Sequence, residues 1–111
     1  MAARAPADLL PGTMDLLILR ALVRGPKHGY GIAQWLEQVS ADVLHVGEST
    51  LYPALQRLLL NEWVTAAWGA SDNNRRARFY TLTPAGRKQL KSKRQEFERL
   101  IAAIQRVLDH T

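Results

Sequence analysis

The chain has no cysteine among its 111 residues. Disulfides, thiolate zinc sites and a cysteine nucleophile are excluded at once. Histidine is scarce too. His28, His45 and His110 fall at no metal-ligand spacing with one another or with a carboxylate pair, so no metal site is expected. A glycine-rich phosphate loop is missing, because Gly29-Tyr30-Gly31 is too short for a nucleotide fingerprint. With no histidine near a plausible nucleophile and base, the inventory argues against an enzyme, and no cofactor is expected. Apolar runs such as Leu16 to Leu19 stop far short of the ~18–20 residues that span a bilayer. Met1 to Asp8 carry one arginine and no apolar core of signal-peptide length. A soluble, cytoplasmic protein without a membrane partner is the expectation.

Acidic side chains are in deficit: ten Asp and Glu face fifteen Lys and Arg, a net charge of +5. Such a surplus fits a polyanionic partner, and its placement says more than its size. Arg75, Arg76 and Arg78 fall within four residues, and Arg87, Lys88, Lys91, Lys93 and Arg94 follow. The hydrophobic fraction of 47% is that of a globular chain and argues against disorder. The length suits one domain with an appended element.

Met1 to Leu10 reads as a loose arm closed by Pro11-Gly12. Thr13 is then a candidate N-cap, with Asp15 in the first turn, for a helix running to about Arg24 and stopped by Gly25-Pro26. That helix is apolar nearly all round and must be covered on more than one side. His28-Gly29-Tyr30-Gly31 opens a second helix to about Ser40, with His28 capping it or hydrogen-bonding near it and Ile32, Leu36 and Val39 facing inward. A third helix is expected from Ser49, as N-cap, to about Asn61. Pro53 is tolerable in or next to its first turn.

On the third helix Leu51, Ala54, Leu55 and Leu58 share one face and form a core stripe. Ser49, Pro53, Gln56 and Leu60 project oppositely, flanked by Thr50, Arg57 and Tyr52. That outward set is rich in hydrogen-bonding groups, as a helix reading the major groove should be. A strand from Trp63 to Gly69, a polar turn and a strand through Phe79 to Leu82 follow. The turn carries Asn74, Arg75, Arg76 and Arg78. Period-2 alternation sets Arg76 and Arg78 on one face, with Arg75 at the tip. This order is that of a winged helix-turn-helix: mainly α with a small β-hairpin wing, the helix in the groove and the wing on the flanking backbone. The predicted DNA-binding residues are therefore Ser49, Thr50, Tyr52, Gln56, Arg57, Asn74, Arg75, Arg76 and Arg78, with double-stranded DNA the expected partner; the alternatives are a solvated turn and helix face, and for Tyr52 a core tyrosine.

Thr83-Pro84 is an N-cap followed by proline at N1, which starts a last helix running almost to the end. Leu90, Phe97 and Ile104 make one seven-residue series and Leu100 and Val107 another, widened by Ile101 and Leu108. Heptads on an otherwise charged helix suggest a seam against a partner, here a second copy of the chain, the alternative being packing back on the first helix of the same chain. The expected organisation is an N-terminal arm (1–12), a winged helix-turn-helix domain (13–83) and a C-terminal dimerisation helix (84–111).

The stretches Leu9 to Leu19, His28 to Ile32, Thr50 to Leu55 and Asn73 to Gly86 closely resemble PadR-like transcriptional regulators. The single C-terminal helix matches the short subfamily. The resemblance covers roughly Leu9 to Leu90 and implies a winged-helix domain, a dimerisation helix and repression from a palindromic operator. Where the family commonly has an acidic residue and then glycine after the recognition helix, this chain reads Leu59-Leu60-Asn61-Glu62-Trp63, and Asn61 is the expected left-handed residue. Trp35, Trp63 and Trp68 are candidates to line a pocket for a small aromatic effector, in keeping with relatives that sense phenolic compounds, or else to fill core and interface space. The competing class is a winged-helix protein–protein interaction module without DNA binding, supported by an exposed Leu60.

Overall fold

The computed structural model describes residues 12–111. The expected N-terminal arm, residues 1–12, lies outside them apart from Gly12. The order is helix α1 (Thr13–Ala21), strand β1 (Lys27–His28), helices α2 (Gly29–Val39) and α3 (Glu48–Leu60), strands β2 (Val64–Ala70) and β3 (Arg76–Leu82), and helix α4 (Pro84–Leu108). This is the mainly α winged helix-turn-helix that the hydrophobic periodicity predicts. Ile18, Leu19 and Leu22 of α1 and its exit meet Ile32 and Leu36 of α2 and the Leu51, Leu55, Leu58 stripe of α3. Val64, Tyr80 and Leu82 close this core from the root of the sheet.

Both expected caps on α1 and α3 lie one or two residues early. Gly12, in the left-handed region at φ 83°, is the N-cap of α1, and Thr13 is already helical. Gly47 caps α3, so Ser49 sits inside its first turn and Pro53 lies in the second. Proline there has no N–H for the Ser49 carbonyl, and Ser49 is exposed, so water can serve that oxygen. His28 does cap α2, its ring Nδ1 accepting the Gly31 N–H at 3.0 Å. Helix α1 ends at Ala21, short of Arg24. The N–H groups of Leu22, Val23 and Gly25 donate three residues back instead, tightening the exit. The periodicity points Val39 inward, yet it is 64% exposed, because α2 ends there beyond the reach of the core.

The corner after α3 corrects a further expectation. Asn61 keeps an ordinary φ of −84°, and Glu62 takes the left-handed conformation at φ 60°. Glu62 N–H donates to the Leu59 carbonyl and Trp63 N–H to the Leu58 carbonyl, both at 3.0 Å. These two bonds are the Schellman pair, which places Glu62 at the position where glycine is usual.

The wing is larger than a hairpin. Strands β2 and β3 pair antiparallel from Val64↔Leu82 to Ala70↔Arg76. The two-residue β1 adds to the other edge of β3, Lys27 opposite Tyr80 and His28 opposite Phe79, giving the order β1-β3-β2. A two-residue strand carries no alternation to read, which is why the sequence does not disclose it.

Thr83 starts α4 as predicted, its hydroxyl accepting the Gly86 N–H at 2.9 Å. The same hydroxyl donates to the Glu62 carbonyl at 2.8 Å, and the Thr83 N–H donates to the Trp63 carbonyl at 3.1 Å. Gly86 is buried against this corner. A Cβ there would run into the Trp63 carbonyl oxygen and come within 2.7 Å of Leu82 Cδ1. Backbone cannot yield as a side chain can, so Gly86→Ala should lower stability by roughly 3 kcal/mol and the melting temperature by roughly 10 °C or more. Thr83→Ala, which removes the cap, should cost about 1 kcal/mol. Thermal unfolding followed by circular dichroism at fixed protein concentration checks both, and a Gly86→Ala protein as stable as the wild type would refute the close approach.

Candidate nucleic-acid interface

The outward side of α3 is as the periodicity placed it. Ser49, Pro53, Gln56 and Arg57 are exposed, Thr50 is half-buried, and Leu60 at the C-terminal end is 75% exposed. These side chains differ in how free they are. Arg57 donates through Nη2 to the Asp15 Oδ1 at 2.9 Å, tying α3 to the first turn of α1. Its charge is already matched, so contacting a phosphate or base would require this pair to open or to be shared. Ser49, Thr50 and Gln56 have no such commitment among the described residues.

Tyr52 leans the other way, onto α2. Its hydroxyl lies 2.7 Å from where a Cβ of residue 29 would be, so Gly29 is what allows the ring to lie there. Burial of the phenol raises its pKa above the usual 10.0, and the nearby Glu48 carboxylate and then Tyr80 push the same way.

The wing presents its arginines on a scaffold of aromatic rings. Arg76 lies over the Trp68 indole, 4.7 Å from the ring centroid, and Arg78 over Tyr80 at 5.9 Å. The expected common face of Arg76 and Arg78 is present. Asn74 holds the turn in the left-handed region at φ 58°, its N–H donating to the Ser71 carbonyl at 2.8 Å. Asparagine tolerates that conformation better than most residues, which gives Asn74 a structural task beside any contact with a ligand. No ion pair engages Arg75, Arg76 or Arg78 among the described residues.

Between wing and helices runs an open groove of about 870 Å³, lined by Tyr30 and Gln34 from α2, Tyr52 from α3, Arg75 from the turn, and Trp68, Arg76, Arg78 and Tyr80 from the sheet. Of the recognition-helix candidates only Tyr52 lines this groove beside the wing arginines; Ser49, Thr50, Gln56 and Arg57 do not, nor does Asn74. Tyr30, Gln34 and Tyr80 are not among the residues that the sequence marks. Residues of α2 reach the groove because β1 pairs with β3 and delivers the start of α2 to the sheet, and no local pattern carries that. Of the three tryptophans only Trp68 lines the groove. Trp35 stacks under Arg20 and Trp63 under Lys93, each packed at a separate place.

The predicted dimerisation stripe divides along α4. Leu90 packs against the chain's own core and Phe97 is half-buried, whereas Leu100, Ile101, Ile104, Val107 and Leu108 are exposed. The 25 residues of α4 are about 37 Å long, more than the domain beneath can cover. Among the described residues no helix is long and apolar enough to cross a membrane.

Residues 18–92 match the transcriptional regulator PadR-like family. A transcriptional regulator from Clostridium thermocellum is 30% identical with a TM-score of 0.80, over 89% of this chain and 96% of that one. A PadR family transcription regulator from Clostridium difficile is 28% identical with a TM-score of 0.72, over 87% of this chain and 99% of the other. An uncharacterized 37.1 kDa protein in a transposon of Streptomyces fradiae is 40% identical over 90 residues, which are 81% of this chain but only 24% of that protein.

The Tyr52 environment makes a pH prediction. A phenol whose folded pKa is raised binds its proton more tightly folded than unfolded. Its contribution is complete below pH 10 and disappears as pH rises through the folded value. Alkaline titration of the tyrosinate absorbance should show a component above the ordinary range, and Tyr52→Phe should remove it. A Tyr52→Phe titration that keeps this component would contradict the assignment.

Proposed function

The chain belongs to the PadR-like family of transcriptional regulators, and from that premise we propose that it is a homodimeric repressor that binds an inverted-repeat operator and is released by a small-molecule effector. At the coarser level it is a DNA-binding transcription regulator and not an enzyme. The observation that carries the reading is a polar, exposed α3 surface without side-chain commitments beside a wing whose Arg75, Arg76 and Arg78 make no ion pair among the described residues. Ser49, Thr50, Tyr52 and Gln56 would meet base edges and backbone in the major groove, where a bidentate glutamine–adenine contact discriminates by ~1–3 kcal/mol. Asn74, Arg75, Arg76 and Arg78 would lie on the flanking phosphates or minor groove. Arg57 would position α3 through Asp15 as much as it touches DNA.

The functional division follows: an arm at residues 1–12, a DNA-binding domain at 13–83 and a dimerisation helix at 84–111. The exposed apolar end of α4 supports the dimer, because a stripe from Leu100 to Leu108 left in water forfeits its burial energy. A two-fold dimer would set two recognition helices ~34 Å apart on successive turns of DNA. The groove's aromatic walls and cationic rim would suit an aromatic effector, and binding there would compete with DNA. Such a protein would work in the cytoplasm, where the DNA is.

Fluorescence anisotropy against duplex DNA from upstream of its own gene, beside a scrambled duplex, tests the reading. Nanomolar binding that prefers the native duplex and weakens with salt is expected. The Arg75→Ala/Arg76→Ala double variant should bind every sequence more weakly, its salt slope reduced by ~0.9 for each phosphate that is no longer neutralised. Unchanged affinity and slope in that variant would remove the wing from the mechanism, and no binding at low salt would favour the protein-interaction module. Light scattering should give the wild type twice its 12.5 kDa chain mass, and Leu100→Glu/Ile104→Glu should give the single mass. A wild type that scatters as a monomer would rule out the dimer.

A further inference from the structure

Trp68 is out of place for a core residue. On β2, Val64, Ala66, Trp68 and Ala70 share one face by alternation. Val64 is 1% exposed at the root of the sheet, whereas Trp68, the largest side chain in the series, is 61% exposed further out. A residue serving only to fill space would lie at the buried end. The flanking Ala66 and Ala70 are small, which leaves the indole room to lie along the sheet.

The register explains what the indole meets. Trp68 faces Arg78 directly, and Arg76 and Tyr80 are the same-face neighbours two residues to either side. Along this face cation and ring alternate. Arg76 takes the face of Trp68 at 4.7 Å, and Arg78 takes Tyr80 at 5.9 Å. A guanidinium over a ring face uses none of its N–H donors in a hydrogen bond there and keeps them for a phosphate. Stacking also removes rotamers before binding, so less side-chain entropy is given up on meeting the phosphate.

We propose that Trp68 is a positioning residue for DNA affinity, holding the Arg76 guanidinium ready for the phosphate backbone without touching the DNA itself. The inference rests on the reading of the wing as a DNA-contacting element. Tyr80 does the same for Arg78 while also belonging to the core, which leaves Trp68 as the residue that can be altered without touching the fold.

The test is a double-mutant cycle by anisotropy on one duplex, with Trp68→Ala, Arg76→Ala and the pair. Trp68→Ala should melt like the wild type and bind roughly three- to fivefold more weakly. That deficit should vanish in the Arg76→Ala background. Trp68→Phe, which keeps a ring face, should recover affinity, and Trp68→Leu, which keeps bulk alone, should not. Without DNA, the Arg76 side-chain protons should show an upfield ring-current shift by NMR that Trp68→Ala abolishes. An equal deficit in both backgrounds would mean that Trp68 touches DNA itself, and full affinity in Trp68→Leu would mean that only bulk matters; either overturns the proposal. So does an Arg76 spectrum without the shift. Full affinity in Arg76→Ala would sink the wing reading and this inference together, whereas a weakened Arg76→Ala beside an unaffected Trp68→Ala would sink this inference alone.

Discussion

Thr83 ties four segments into one corner. Its hydroxyl donates to the Glu62 carbonyl and accepts from Gly86, while its N–H donates to the Trp63 carbonyl. The end of α3, the start of β2, the end of β3 and the start of α4 therefore meet within a few ångströms. Gly86 completes the junction by having no side chain, which lets α4 come down onto the Trp63 backbone. The consequences reach the whole molecule. The angle between recognition helix and wing is set here, and so is the direction in which α4 leaves the domain.

That direction gives α4 two characters. Its first half belongs to its own domain: Leu90 packs on the core, the Arg87 guanidinium donates to the Val23 carbonyl at 3.1 Å, and Lys93 caps the Trp63 ring. Its second half exposes apolar side chains, which no described element covers. A seven-residue repeat cannot tell these halves apart, because the same periodicity suits a helix packed on its own chain and one packed on a partner. The charged residues divide in a similar way. Arg57 is held by Asp15 and stiffens the packing of α3 on α1, while Arg76 and Arg78 lie over rings and, among the described residues, make no ion pair. A guanidinium without a carboxylate partner keeps its full charge for a polyanion.

Much of this was legible in the chain. Leu51, Ala54, Leu55 and Leu58 declared the core side of α3, and Thr83-Pro84 declared the start of α4, because periodicity and capping are local physics. The errors share a cause. Gly12 and Gly47 took the caps expected of Thr13 and Ser49, and Glu62 took the left-handed place expected of Asn61. At such junctions neighbouring residues are nearly equivalent locally, and the packing of the elements on either side decides between them. The groove was only half visible for the same reason. Arg76 and Arg78 could be placed by alternation, whereas Tyr30 and Gln34 reach it through the pairing of β1 with β3.

By itself the sequence determined the kind of protein: a basic, cysteine-free chain whose apolar periods change from helical to strand and back in the order of a winged helix. Those features depend on intervals of two to seven residues, which the chain carries wherever it is in space. Tertiary structure alone decided which cations are free. Asp15 and Arg57 are 42 residues apart in sequence but within 2.9 Å in the fold, and Trp68 reaches Arg76 only across a strand register fixed by the hairpin. Charge and ring character belong to residues, but their pairing belongs to distances, and only the packed core sets those.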